Sequence, residues 1–301
     1  MSWGEYTIKS NFKTSLQYVN CLRGFIFLAS FGLSISTFAA NGVAMVTDLI
    51  GKATMTQGKV SDINILSEIE AATQVQLAPG TTMVILYIGS GDEYLLKGPA
   101  TIIFKPTNLE VLSGSQPEKR SNAIVKGVGV RIKSVGLVQG ATVMRSSVNK
   151  PLFKLLNLYD TKTIETQPFF RWEEMQPNTT YQLQITDNKS EIFYMTAVDT
   201  SSLKLPANVV LKEGVTYTWE VSVALPGGKK FSRMADFELA PKELRIQTEA
   251  LRPDTSAPLS MQIAYAVWLD QMGLKDEARQ YWKAAAKERP DDIKLKLIAE
   301  Q

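Results

Sequence analysis

Gly80-Thr-Thr-Met-Val-Ile-Leu-Tyr-Ile-Gly-Ser-Gly-Asp-Glu-Tyr-Leu-Leu-Lys-Gly-Pro-Ala-Thr-Ile-Ile-Phe-Lys-Pro-Thr-Asn-Leu-Glu-Val-Leu-Ser-Gly114 is the stretch that decides the fold of this chain. Short runs of β-branched and aromatic residues alternate here with glycine, proline, asparagine and aspartate, which predicts short strands joined by tight turns. Residues 83–88 are continuously apolar, so this strand is expected to be buried on both faces. The stretch has no histidine, cysteine or phosphate-binding loop. It is therefore predicted to be a structural unit and not an active site.

Glycine, proline and apolar residues recur in a defined order around this stretch. They are Gly51, Gly58, Leu77, Pro79, Gly80, Leu86, Gly91, Tyr94, Leu96, Gly98, Pro99, Ala100, Leu109, Leu112 and Gly114. Such positions also occur in unrelated small β-domains, where they shape turns. Their order here resembles the FecR-type domain of bacterial envelope proteins.

The resemblance covers residues 41–118 and implies a compact all-β periplasmic module used for protein contact. The family is best known from regulators that pass an iron-uptake signal inward to a sigma factor. Those regulators carry a cytoplasmic sigma-binding domain before their membrane segment. Here only 23 residues precede the apolar run, which argues against signalling of that type.

The first forty residues have the layout of an export signal. Lys9, Lys13 and Arg23 precede a charge-free run over residues 24–47, and small residues follow its most apolar part, so cleavage is expected near Ala39. The alternative is an uncleaved N-terminal anchor, because the run exceeds the ~20 residues that span a bilayer. Either interpretation of residues 1–40 predicts a periplasmic or otherwise exported protein, anchored to the inner membrane if the signal is retained.

Charge and composition exclude several classes of function. After residue 39 the chain keeps 30 Lys and Arg against 29 Asp and Glu, so no basic face for nucleic acid is predicted. The only cysteine, Cys21, lies before the apolar run, and the chain has no histidine. Disulfide frameworks, thiol nucleophiles, histidine bases and the usual zinc sites are therefore not expected.

Acidic pairs and a Ser-Lys dyad are the remaining candidates for catalysis, and the Ser10-x-x-Lys13 spacing lies within the predicted export signal, so it is not interpreted as catalytic. Glu173 and Glu174 lie on a predicted strand, where neighbouring side chains point to opposite faces and cannot share a reacting atom. Asp291 and Asp292 follow Pro290 and are typical of a helix start. We therefore predict no catalytic residues, no cofactor and no metal site.

A second β-module is predicted over residues 161–240, after a bridging β-segment over residues 119–160. Residues 181–186 and 217–223 alternate strictly between apolar and polar side chains, which predicts a sandwich of immunoglobulin or fibronectin type III character. Trp172 and Trp219 are interpreted as core residues. If Tyr194, Tyr217 and Trp219 were exposed instead, they would form a carbohydrate-binding or peptidoglycan-binding surface.

The chain changes to helical periodicity over residues 241–301. A glycine separates two predicted helices and a proline ends the second. The small, glycine, aromatic and proline positions resemble one tetratricopeptide unit: Ala266, Gly273, Ala278, Trp282, Ala285 and Pro290. Because about three such units are normally needed for a peptide groove, this hairpin either binds a partner or only caps the fold.

Together these features predict a mainly β protein: a FecR-like all-β module, an Ig-like β-sandwich and a small C-terminal α-helical hairpin. The leading hypothesis is a non-enzymatic envelope protein of a Gram-negative bacterium that binds or scaffolds other envelope proteins. The alternative is a periplasmic carbohydrate- or peptidoglycan-binding protein. A third hypothesis, a hydrolase that uses acidic residues alone, predicts turnover of glycans.

Overall fold

The fold is mainly β with helices at its C-terminal end, as the sequence predicts. The structure is a computed structural model that describes residues 42–122, 124, 153–175, 179–224, 228 and 230–300. The predicted export signal over residues 1–40 and most of the predicted bridging segment lie outside the described residues. The described residues belong to one compact unit.

Two five-stranded antiparallel sheets form the first β-module. Its strands are β1 (Ala44–Ile50), β2 (Ala53–Gln57), β3 (Lys59–Asp62), β4 (Glu68–Ile69), β5 (Gln74–Leu77), β6 (Thr82–Tyr87), β7 (Asp92–Lys97), β8 (Ala100–Phe104), β9 (Leu109–Ser113) and β10 (Glu118–Ser121). One sheet has the order β10-β7-β6-β1-β4 and the other β3-β2-β5-β8-β9. Alternate side chains from both sheets, such as Val46, Val75 and Phe104, fill the core between them.

Strand β6 is buried on both faces, which confirms the interpretation of its continuous apolar run. Met83, Ile85 and Tyr87 point into the core between the two sheets. Leu86 points the other way and packs against the C-terminal helices, together with Met45 of β1. This sheet is therefore the middle of three layers, with strands on one side and helices on the other.

Two of the turn glycines allow close backbone approach within this module. A Cβ at Gly98 would lie 2.0 Å from the carbonyl oxygen of Ala78, and one at Gly114 would lie 2.6 Å from that of Pro99. Gly114 also has φ near +101°, in the left-handed region. Packing of the strand ends therefore explains why these positions require glycine.

A second β-sandwich follows, as predicted from the alternation. Its strands are β11 (Thr161–Thr163), β12 (Phe169–Arg171), β13 (Tyr181–Thr186), β14 (Ile192–Val198), β15 (Ser202–Lys204), β16 (Thr216–Ala224) and β17 (Lys230–Leu239). The larger sheet has the order β11-β17-β16-β13-β14, with β11 parallel to β17, and β12 pairs with β15 on the opposite side. Trp172 and Trp219 are 1% and 0% exposed in the core between the sheets, which confirms them as core residues.

The ends of the two β-modules differ from the predicted boundaries at residues 118 and 160. Strand β10 extends to Ser121, because Glu118–Ser121 pairs along its length with β7. At the other end, Phe153 and Leu158 are buried in the core of the second sandwich. Both ends of the predicted bridging segment are therefore integral parts of the sandwiches.

Four helices complete the described fold: α1 (Lys242–Leu251), α2 (Leu259–Gln271), α3 (Lys275–Glu288) and α4 (Ile293–Ala299). Helices α2 and α3 form the predicted hairpin, while α1 and α4 go beyond it. Helix α2 is buried on most sides because it lies between its neighbouring helices and the middle sheet. Of the helices described, none has the length and apolarity needed to cross a membrane.

Candidate functional site

The residues of the tetratricopeptide-like pattern lie mostly inside the helical layer. Ala266, Ala278 and Ala285 are fully buried, and the Trp282 indole donates a 2.7 Å hydrogen bond to Asp270 Oδ2. The remaining two are outside the core: Gly273 has φ near +81° at the turn between α2 and α3, and Pro290 is exposed. The four buried side chains hold the hairpin together and present no surface to a partner.

The hairpin region is attached to the first β-module by polar contacts. Arg289, at the end of α3, donates from Nε and Nη2 to the two carboxylate oxygens of Asp48 on β1, at 2.9 and 2.8 Å. The Asp292 carboxylate, which caps α4, accepts from the backbone N–H of Ile65 at 3.1 Å. These charged contacts fix the end of the hairpin to the middle sheet.

The same hairpin is attached to the second sandwich at its other end. The Gly273 carbonyl accepts from the backbone N–H of Lys162 at 2.8 Å, and the Lys275 N–H donates to Thr161 Oγ1 at 3.0 Å. Asp276 Oδ2 accepts from the Leu158 N–H at 2.7 Å. Backbone groups of the sandwich and the first turn of α3 therefore satisfy one another, and the hairpin connects the two β-modules.

A groove of about 610 Å³ lies where α3 meets the second sandwich. We call it the junction groove, and its walls include Leu156, Phe169, Arg171, Lys204, Glu277 and Lys283. Its size is within the range of ~300–1,000 Å³ seen for ligand sites. Since the hairpin contacts fix both walls, the groove is a preformed feature of the fold.

Cationic and apolar side chains are exposed at the junction groove. Phe169 and Leu156 are 48% and 49% exposed, and the Lys204 ammonium lies 5.4 Å from the centre of the Phe169 ring. Arg171 and Lys283 are exposed as well. Within the described residues, neither of them nor Lys204 takes part in an ion pair.

Two of the three acidic residues that line the groove are paired or shielded from solvent. Asp276 forms an ion pair with Arg279, whose guanidinium also lies 4.8 Å from the centre of the Tyr159 ring. Burial raises the pKa of Glu277 to about 7. The third acid, Glu165, is exposed, but the four cations of the lining outnumber the three acids, so the groove presents net positive charge at neutral pH.

Glu277 lies between the junction groove and a smaller cavity of about 240 Å³. Its Oε1 accepts from the backbone N–H of Ile164 at 3.3 Å, whereas its buried Oε2 has no hydrogen-bond partner in the described part of the chain. Tyr265 and Tyr281 line the smaller cavity, with ring centres 4.9 Å apart. The Glu277 carboxyl is therefore buried with incomplete hydrogen bonding.

The aromatic residues of the predicted carbohydrate surface do not form one. Tyr217 and Trp219 are 1% and 0% exposed, and the Trp219 indole donates a 2.7 Å hydrogen bond to the Leu158 carbonyl. Tyr194 is half-buried and packs against the same core. The suggestion that Tyr217 and Trp219 are exposed is wrong, because strand alternation directs both rings into the sandwich.

Sequence reasoning missed the exposed aromatic residue of this module, Phe169. In strand β12 (Phe169–Arg171), Phe170 points inward, as Trp172 does just after it, whereas Phe169 and Arg171 point outward. The same period of two that identified Trp219 as buried could have identified Phe169 as exposed. Across the described ranges, no group of three or more acidic or cysteine residues is placed to hold a metal ion.

Comparisons with known proteins give little further information. No family model matches the chain, and no curated protein matches it. One solved structure with similarity is a tetra-tandem repeat in the extending region of a large adhesion protein, 12% identical, with a TM-score of 0.20. The match covers 66% of this chain and 42% of that chain. A TM-score of this size does not establish a shared fold.

Proposed function

We propose that this chain is a non-enzymatic, exported protein of the Gram-negative cell envelope that binds other envelope proteins and holds them in a fixed arrangement. In this proposal the first β-module is of FecR type, and the order of its turn residues from Gly51 to Gly114 supports the assignment. The basic and apolar layout of residues 1–40 supports export.

The observation that carries the proposal is the attachment of one helical hairpin to both β-modules. Asp48 holds one end through Arg289, and Thr161 and Leu158 hold the other through Lys275 and Asp276. A rigid pair of β-sandwiches with a preformed groove at their helical junction suits a scaffold, because little ordering free energy is needed when a partner binds.

Site-specific photo-crosslinking in cells tests this proposal. A photoreactive amino acid replaces Gln280, an exposed residue of the junction groove, and in a matched control it replaces Lys59, which is exposed on β3. We expect a discrete protein adduct from position 280 and not from position 59. Mass spectrometry of the recovered chain then gives its N-terminus, expected near Ala40 if the signal is cleaved.

Two results would contradict the proposal. Recovery of the protein in the cytoplasmic fraction with residues 1–40 intact would exclude export, and equal, diffuse labelling from Gln280 and Lys59 would exclude a specific protein partner at the groove. Turnover of a glycan substrate by the purified protein would contradict the non-enzymatic assignment.

A further inference from the structure

We propose that the junction groove binds an extended acidic segment of a partner protein, with an apolar side chain of that segment against Phe169. This inference rests on the proposed protein-binding function and names the chemistry of the partner. Four observations support it: the charge of the groove, its exposed apolar residues, the spacing of its side chains and the state of its acids.

Charge favours an anionic occupant. Arg171, Lys204 and Lys283 project from three different elements, β12, β15 and α3, and converge on one groove. They form no ion pair in the part of the chain that the structure describes. Carboxylates of a partner would give these three cations oppositely charged contacts, which add specificity and increase the association rate.

Apolar exposure in the same groove distinguishes this site from a simple anion site. Phe169 and Leu156 lie beside the cations with about half of their surface exposed. A free phosphate or a bare acidic tail would leave both side chains in water. A segment that combines carboxylates with an apolar side chain would cover them, and aromatic residues at such positions commonly dominate binding energy.

The spacing of the side chains matches an extended peptide. Phe169 and Arg171 lie two residues apart on the same face of β12, a separation of roughly 6 to 7 Å along the strand. Lys204 is the register partner of Phe169 on β15, so it faces the same wall. In an extended segment, residues two positions apart share one face at the same interval, so an apolar residue followed two positions later by an acidic residue lies against Phe169 and Arg171.

The acidic residues of the groove offer little opposition to such a ligand. Asp276 forms an ion pair with Arg279 and accepts a hydrogen bond from the backbone N–H of Leu158. Glu277 is largely buried next to Ile164. The remaining acid, Glu165, is exposed at the edge of the groove. An incoming carboxylate therefore meets more free cations than free anions.

Fluorescence anisotropy on the purified full chain tests the proposal. The probe is a fluorescein-labelled eight-residue peptide with one Phe flanked by Asp and Glu, and its counterpart carries Lys in place of every acid. We expect the acidic peptide to bind and the basic peptide not to bind. Added salt should weaken the acidic complex, because the charges are close to solvent.

Charge-reversal variants locate the binding site. The double variant Lys204→Glu, Lys283→Glu should raise the Kd of the acidic peptide by about tenfold or more. The matched control Lys59→Glu, Lys230→Glu makes the same change in net charge at exposed positions away from the groove and should leave the Kd unchanged. Phe169→Ala should weaken binding by several-fold while the salt dependence persists.

Equal binding of the acidic and basic peptides, or equal effects of the two double variants, would overturn the proposal. It would also be overturned if soluble peptidoglycan fragments that bind more tightly through Phe169 displaced the peptide. The last result would assign the groove to a glycan. If the peptide fails to bind while the crosslinker at Gln280 still captures one protein, the acidic-segment proposal fails and the protein-binding function stands.

Discussion

Replacing Glu277 with glutamine should stabilise the protein at alkaline pH and have little effect at acidic pH. Burial raises the pKa of this carboxyl from 4.5 to about 7, and each tenfold change in proton affinity corresponds to about 1.4 kcal/mol. The folded state therefore binds the proton more tightly than the unfolded chain does. The favourable contribution of the protonated carboxyl is complete below pH 4.5 and is lost as the pH rises to about 7.

The size of the effect follows from the difference between these two pKa values. Because of this difference, the ionised Glu277 carboxylate lowers the free energy of unfolding by about 3 kcal/mol above pH 7. Glutamine cannot ionise, and its oxygen keeps an acceptor for the Ile164 N–H. The glutamine amide leaves a buried donor without a described partner, as the protonated acid does, and this cost reduces the gain from removing the charge. We therefore expect a net stabilisation of roughly 1 to 3 kcal/mol at pH 8.

Urea unfolding followed by tryptophan fluorescence provides the assay. The difference in midpoint between Glu277→Gln and the unchanged protein, at equal slope, gives the change in free energy of unfolding. Taking this difference removes the contribution of other buried acids such as Glu93, whose pKa burial also raises. Glu288→Gln on the same helix is the matched control, because its side chain is 50% exposed and should contribute little.

One result would refute this reasoning. If the stability difference between Glu277→Gln and the unchanged protein were the same at pH 5 and pH 8, the carboxyl would not titrate between those values, and the burial of Glu277 would not govern its charge. Destabilisation at both pH values would show instead that the buried amide donor of glutamine, which has no described partner, costs more than the burial of charge.

Three further substitutions test other parts of the structure. Arg289→Ala should lower the free energy of unfolding by roughly 1 to 2 kcal/mol, because it removes the contact with Asp48. In a double-mutant cycle with Asp48→Ala, most of this loss should be measured as coupling free energy between the two side chains, and additive effects would contradict the contact. Gly98→Ala should lower the free energy of unfolding by roughly 1 to 3 kcal/mol, because the added Cβ would meet the carbonyl oxygen of Ala78. In the control Gly89→Ala the added Cβ would lie in open space, so the free energy of unfolding should change by less than about 1 kcal/mol. Trp219→Ala should cost about 3 to 5 kcal/mol in urea unfolding, and loss of peptidoglycan binding without loss of stability would show that this indole contacts a ligand.

Local periodicity explains why much of the fold could be predicted from the sequence. The period of two in Tyr181–Thr186 directs Tyr181, Leu183 and Ile185 into the core, and the structure places all three there. The continuous apolar run of β6 likewise predicts burial on both faces. It does not indicate which element covers the second face. Each of these properties depends on neighbours within one strand, so a single sequence contains the information.

The candidate site depends on contacts between distant parts of the chain, and the sequence does not show them. The junction groove exists because Asp276 and Leu158, 118 residues apart, meet at the start of α3. The contact between Asp48 and Arg289 joins residues 241 positions apart. The periodicity of apolar residues and the composition of the sequence describe each strand or helix by itself. The packing of α3 against the second sandwich determines which side chains of Phe169–Arg171 line the junction groove.

The helical cover on the middle sheet has a consequence for the order in which the protein is made. Met45 and Leu86 of that sheet are buried against helix α2 and its neighbours, which are synthesised more than 150 residues later. Until those helices emerge, this apolar face lacks its cover and is open to chaperones and proteases. The β-strands can pair early, but quality control can distinguish a finished chain from a truncated one by whether that face is still accessible.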